Sequence, residues 1–398
     1  MTKPRRAPRW AKTLFATAIA LALVFYGAGG YVFADMIRTD ALLPQAPTPD
    51  HGVWVRSVDE LSITLTSAEE REDVIRPGIA GLAWDSGYGQ LGEIVATDGL
   101  DVTRDFSVRF GGLPPVCTGE LTLCDPVDIE GWTFPDDPSS LDVVFEDVIY
   151  ESPIGEMGAW LVPGGDGSIW AIHAHGWRAS RREALRSLPI YRDAGVTSLV
   201  IDYRNDPDAP PDPSGLYRFG RTEWEDVEAA VDYAVAHGAR RVVLVGYSTG
   251  AALHLAYMES SNLTEPVAAL VFDSPNADMG STVRHGASQR KIPGTRLPVP
   301  ASLARAAMLI ADLRFDVSWS EIDYVSRADE IITVPTLVFH GLGDDRVPIE
   351  VSRRLQSQAP DLIQLVEVEG AGHVTSWNVA PDLYEKTLEQ FLSKALES

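Results

Sequence analysis

Cysteine is almost absent from this chain: Cys117 and Cys124 are the only two in 398 residues. That excludes a cysteine-stapled scaffold, and two thiols alone cannot close a four-ligand structural zinc site. Their short separation fits a small disulfide loop in an oxidising compartment, with two free thiols as the alternative. Positive charge is also scarce. Lys and Arg number 33 against 57 Asp and Glu, a formal net charge of -24. Such a surface repels phosphate backbones, so no nucleic-acid partner is expected. No P-loop, dinucleotide glycine fingerprint or clustered metal-ligand pattern occurs, so neither a metal nor another cofactor is expected.

The few basic residues are unevenly placed. Lys3, Arg5, Arg6, Arg9 and Lys12 crowd residues 1–12, and residues 13–34 then carry no charge. A run of that length can cross a bilayer as a helix, and basic residues ahead of it favour a cytoplasmic N-terminus. The expectation is a cytoplasmic basic tail at 1–12 and a transmembrane helix at 13–34, with the rest outside the cytoplasm. A secretory signal cleaved near Ala34, after Val32-Phe33-Ala34, is the alternative. Pro44, Pro47 and Pro49 suggest an extended linker over 35–52 that holds a folded domain off the membrane.

Residues 53–140 show short alternating stretches, such as Leu61-Ser62-Ile63-Thr64-Leu65-Thr66, broken by Gly, Asp and Pro. They read as a β-rich accessory segment without a catalytic constellation. From 141 to 398 the pattern becomes regular. Two alternating segments, 141–152 and 158–164, suit half-exposed antiparallel strands. Denser apolar runs at 168–176, 197–204, 240–248, 268–275, 335–341 and 363–370 suit buried parallel strands. Helical periodicity separates them at about 180–194, 222–237, 249–260, 350–359 and 381–396. This alternation predicts an α/β fold with a doubly wound, mostly parallel sheet. Ser180 and Glu183 read as a capping box. Residues 276–325 interrupt the alternation and suggest a helical cap over a substrate pocket.

Gly246-Tyr247-Ser248-Thr249-Gly250 is the sharpest local signal. A G-x-S-x-G string arises by chance in about one or two chains of this size in ten, so context must decide. Here it follows the apolar run Val242-Val243-Leu244-Val245 and precedes a helical pattern. A strand-to-helix hairpin would hold Ser248 in a strained, exposed turn, with Gly246 and Gly250 permitting the bend. The helix N-terminus behind it favours negative charge on a substrate. A serine hydroxyl needs a base. His373, in a glycine-rich loop after the last strand, is the candidate, whereas His51, His237, His254 and His285 read as surface or core residues. Asp344, directly after the strand at 335–341, is preferred as the orienting acid, with Asp345 and Asp273 as alternatives. Oxyanion donors are expected from the N–H groups of Thr249 and Trp177. Arg178, Arg181 and Arg182 read as a solvated helix start; attraction of an anionic substrate or lipid head group is the alternative.

His175-Gly176-Trp177, GYSTG at 246–250, HGLGDDRVP at 340–348 and GAGH at 370–373 together resemble the α/β-hydrolase superfamily, over roughly residues 141–398. The spacing in 340–348 is similar to the branch holding serine aminopeptidases, prolyl-oligopeptidase-like enzymes and many esterases. The resemblance implies an α/β-hydrolase fold and a triad of Ser248, Asp344 and His373. It also implies an oxyanion site at Trp177 and Thr249. The first 140 residues resemble nothing in that family, and no propeller precedes the domain. The expected function is hydrolysis of a carboxylic ester or related small-molecule acyl compound through an acyl-enzyme on Ser248. A peptidase acting on short peptides, or an inactive membrane-tethered binding protein of the same fold, are the alternatives.

Overall fold

The computed structural model describes residues 9–45, 52–69 and 71–397. Lys3, Arg5, Arg6, Pro47, Pro49 and His51 lie outside the described residues.

Two sheets organise the chain. The first is antiparallel: β1 (Val53–Val58), β2 (Ser62–Ser67), β3 (Ala80–Trp84), β4 (Gly87–Asp98), β5 (Asp101–Gly111) and β6 (Asp128–Glu130), in the order β1-β2-β5-β4-β3-β6. Alternation puts Val53, Val55, Ile63, Leu65, Leu82 and Leu91 into a small core of its own. Cys117 and Cys124 are joined as a disulfide in the loop before β6.

The second sheet holds β7 (Glu146–Ser152), β8 (Gly155–Val162), β9 (Ile169–Ala174), β10 (Thr197–Ile201), β11 (Arg241–Tyr247), β12 (Val267–Asp273), β13 (Thr336–Gly341) and β14 (Ile363–Val368). Their order is β14-β13-β12-β11-β9-β10-β8-β7. The alternating β7 and β8 pair antiparallel, and β8 pairs antiparallel with β10. From β10 onward the neighbours run parallel. The parallel strands β10, β11 and β13 are buried almost throughout because helices cover both faces. One face packs under α1 (Leu188–Asp193) and, further along the chain, the C-terminal helix; the other packs under α2 (Trp224–Ala236) and α3 (Thr249–Ser260).

The insertion after β12 contains α4 (Met279–Gln289) and α5 (Ala301–Phe315). Past β13 lies α6 (Glu350–Gln358), and α7 (Pro381–Leu396) closes the domain. The region 180–194 is a 3-10 helix, Arg181–Ser187, running into α1. The expected capping box does not form there. Ser180 makes no side-chain cap bond: the Glu183 N–H donates to the Ser180 carbonyl at 3.0 Å, and the Glu183 carboxylate turns to the backbone N–H of Gly176.

The N-terminal run is helical from residue 9 to 42, through two π-helical turns at Phe25–Gly29 and Arg38–Leu42. Its segment Thr13–Leu42 is long and apolar enough to cross a membrane. This corrects the linker expected over 35–52, since residues 35–42 continue the helix. No proline falls between residues 9 and 43, and apolar partners hold the helix in place. Phe33 packs among Val299, Leu303 and Ala307. Leu42 is buried in the main core and its carbonyl accepts the Tyr217 N–H at 2.7 Å. Burying side chains of this size contributes about 1.5–3 kcal/mol each. Polar contacts extend the seam: Tyr26 Oη lies 3.0 Å from Ser302 Oγ, and Arg314 pairs with Asp35 at 3.3 Å.

Thus α5 docks the N-terminal helix. A cleft of about 980 Å³ that includes Ser248 and His373 is lined instead by residues of the accessory sheet, the loop after β9 and the ends of the parallel strands. No residue of 276–325 is among its described lining residues. The accessory segment therefore does the covering that the sequence assigns to the insertion.

Candidate active site

Ser248 sits between β11 and α3 with φ +50° and ψ -112°. A non-glycine residue there is strained, and the surrounding turn must hold it. Two glycines make the turn possible. A Cβ at Gly246 would collide with the backbone of Ala251, and one at Gly250 with the carbonyl of Ala174.

The sheet brings three distant side chains together. His373 Nε2 lies 2.9 Å from Ser248 Oγ, and His373 Nδ1 lies 2.8 Å from Asp344 Oδ2. The other carboxylate oxygen of Asp344 accepts the N–H groups of Arg346 and Val347, both at 2.9 Å. His340, wholly buried, approaches Asp344 Oδ2 at 3.3 Å. Burial opposes the charge on Asp344. Hydrogen bonds from His340 and His373, and their charge, outweigh burial and hold the carboxyl well below the usual carboxylate range. The alternatives are placed elsewhere. Asp345 is exposed, while Asp273 bonds Ser376 Oγ at 3.1 Å and is pushed up to about 6 by burial.

Thr249 follows Ser248 at the start of α3, and Trp177 lines the same cleft as Ser248. Neither N–H donates to another backbone group among the described residues. The loop carrying Trp177 can approach because residue 176 is glycine: a Cβ there would stand 3.0 Å from Ser248 Cβ. Several supports of this loop were not legible in sequence. Glu183 accepts the Gly176 N–H at 2.7 Å. His175 Nε2 lies 2.9 Å from Asp206 Oδ2, and its Nδ1 lies 2.9 Å from the Gly176 carbonyl. Burial works against charging His175. The Asp206 carboxylate, by charge and hydrogen bond, and the Gly176 carbonyl push it up to about 9 nonetheless. His175, Asp202 and Asp206 also form a spatial cluster of metal-ligand types. Sequence spacing hides this cluster because its members follow two different strands. The geometry is that of a hydrogen-bonded ion pair, with Arg181 Nε 3.1 Å from Asp202.

The arginines after Trp177 are engaged with the protein, which corrects their reading as a solvated helix start. Arg182 pairs with Glu130 of β6 at 2.7 Å, and Arg178 donates to the end of the N-terminal helix. Asn378, also unforeseen, joins the two sheets. Its Nδ2 lies 2.8 Å from the Ile79 and Gly131 carbonyls, while Oδ1 accepts from Arg186 at 2.7 Å. Of the histidines read as surface or core residues, His254 is buried with Nε2 against the Val245 carbonyl, and His237 is exposed.

A doubly wound sheet of this order, with a serine at the sharp turn after its fifth strand, defines an α/β hydrolase. Residues 161–387, more than half of the chain, match the alpha/beta hydrolase family, and the chain belongs to it. Solved structures of similar fold include the Pyrococcus furiosus esterase Pf2001. In one crystal form it is 20% identical with a TM-score of 0.51, covering 65% of this chain and 96% of that one. In a second form it is 19% identical with a TM-score of 0.50, covering 65% and 94%. A thermophilic esterase from Thermogutta terrifontis is 18% identical with a TM-score of 0.45, covering 63% and 99%.

Proposed function

We propose that this protein is a serine hydrolase that cleaves a carboxylic ester or related small-molecule acyl compound. The observation that carries the proposal is the continuous chain from Ser248 Oγ through His373 to Asp344. His373 Nε2 takes the Ser248 proton as Oγ attacks the acyl carbonyl. The oxyanion is received by the N–H groups of Trp177 and Thr249. Asp344 holds the imidazole with Nδ1 protonated and stabilises the imidazolium. His373 returns its proton to the leaving alkoxide, then activates the water that releases the acid from Ser248.

Esters are taken ahead of peptides, and the cleft's acids set the comparison to be made: Asp73, Glu130 and Glu183 are engaged by Arg71, Arg182 and the Gly176 N–H, while Asp345 is exposed at the rim. A fluorophosphonate probe tests the chemistry: wild-type protein becomes labelled and Ser248→Ala does not. Absence of label on the wild type would leave a binding protein of the same fold. p-Nitrophenyl acyl esters assayed beside aminoacyl amides then separate esterase from peptidase.

The same proposal places the protein in a membrane as a single-pass chain, with a cytoplasmic N-terminus and the catalytic domain outside. The basic tail and apolar helix support this topology, and the disulfide suits an oxidising compartment. Cleavage after Ala34 would strip Phe33 from its seat on α5, which favours the uncleaved anchor. Sequencing the mature N-terminus decides, and a start at Asp35 would overturn the anchor.

A further inference from the structure

Arg178 follows Trp177 in the loop after β9. Its backbone is left-handed, with φ +56°. A non-glycine residue pays about 1 kcal/mol or more for that conformation, and keeps it only where its surroundings over-determine it. Two sets of contacts do so. The guanidinium stacks over the Trp177 ring, 4.0 Å from its centroid. Its Nη2 donates to the Thr39 carbonyl at 2.9 Å and the Leu43 carbonyl at 3.2 Å. These carbonyls belong to the last turn of the N-terminal helix and the residue just beyond it. The final carbonyls of a helix have no partner within it and carry the negative end of its dipole, so a cation there is doubly favoured. With the Tyr217 N–H on Leu42, the helix end accepts hydrogen bonds from two parts of the catalytic domain.

We propose that the N-terminal helix is a working part of the active site, and that Arg178 is the positioning residue through which its end sets Trp177. This rests on the reading of Trp177 as an oxyanion donor. Freed from the two carbonyls, Arg178 relaxes out of its left-handed conformation. The adjoining peptide turns with it, and the Trp177 N–H leaves the point where the oxyanion forms. An interaction made chiefly in the transition state is then weakened, so kcat falls while KM is little changed. The apolar segment thereby couples catalysis to docking of the helix, beyond any role as a tether.

The test uses the full chain in detergent micelles with p-nitrophenyl butyrate. Arg178→Met is expected to lower kcat roughly tenfold to a hundredfold with KM within about threefold. Arg178→Lys recovers part of the loss, because an ammonium reaches one carbonyl but lacks the planar fork. A second variant acts at a distance. A Cβ at Gly30 would stand 2.9 Å from Ile310 Cδ1 and 3.4 Å from Ala306 Cβ. Gly30→Leu therefore levers the helix off α5 without touching the cleft, and kcat falls again. The proposal is overturned if Arg178→Met keeps kcat within about twofold, or raises KM at unchanged kcat as a substrate-binding residue would. Should circular dichroism show that Arg178→Met does not fold, an unchanged kcat in Gly30→Leu overturns it. Failure of the hydrolase reading is distinct: wild-type Ser248 would then take no fluorophosphonate.

Discussion

The carboxylate of Glu183 accepts the backbone N–H of Gly176 at 2.7 Å, directly beneath the loop that faces Ser248. Glu183 is buried, so its removal leaves that N–H without a partner. Glu183→Ala is expected to lower kcat about tenfold for a p-nitrophenyl ester, since a displaced loop misplaces the Trp177 N–H. Glu183→Gln, whose amide oxygen can still accept, should stay within a few-fold of wild type. Equal losses in both variants would show that charge, rather than the hydrogen bond, matters.

The pair of His175 and Asp206 predicts a pH-dependent stability. His175 is raised from an ordinary 6.5 to about 9, despite burial, by Asp206 and the Gly176 carbonyl. The folded state binds this proton more tightly than the unfolded chain. The associated stability is complete below pH 6.5 and drains away as pH rises through about 9. Its size is on the order of 3 kcal/mol. Thermal melts at pH 6 and pH 9.5 should differ more for wild type than for Asp206→Asn. Parallel pH profiles would refute the assignment.

Gly250 packs so closely under the end of β9 that no side chain fits. Gly250→Ala is expected to cost about 3 kcal/mol or more, because the obstacle is the Ala174 carbonyl and not a side chain that can rotate away. A lowered melting temperature together with lost fluorophosphonate labelling is the expected result. Gly112, where nothing lies within 4 Å of an added Cβ, is the control position.

Asn378 holds the accessory sheet over the cleft through Ile79, Gly131 and Thr133. Asn378→Ala removes the side-chain donor to the Ile79 carbonyl and the acceptor for Arg186, at about 1–3 kcal/mol along the seam. Limited proteolysis within residues 53–140 should accelerate, and KM for acyl esters should rise several-fold with a smaller change in kcat. An unchanged digestion pattern would mean that the apolar contacts alone hold the two sheets together.

Much was legible in the sequence because it depends on local pattern. Alternation separated β7 and β8 from the dense parallel strands, since burial of one or both sheet faces writes directly into residue order. The strand–Gly-x-Ser-x-Gly–helix string located Ser248, and glycine was demanded where backbone approaches backbone. The positions of Asp344 and His373 followed from chain order in the family the motifs resemble. The docking of the N-terminal helix was less legible. Prolines argued for a linker over 35–52, yet Phe33 and Leu42 found apolar partners hundreds of residues away.

By itself the sequence determined the doubly wound sheet, the serine at its turn and the apolar N-terminal helix, because each is encoded in near neighbours. Only the tertiary structure decided which elements cover and brace the site. The accessory sheet lines the cleft, the insertion seats the helix, and Glu183, Asn378 and Arg178 hold the loops. These contacts join residues far apart in the chain through buried hydrogen bonds and packing, and such partners leave no period, spacing or motif in the residues between them.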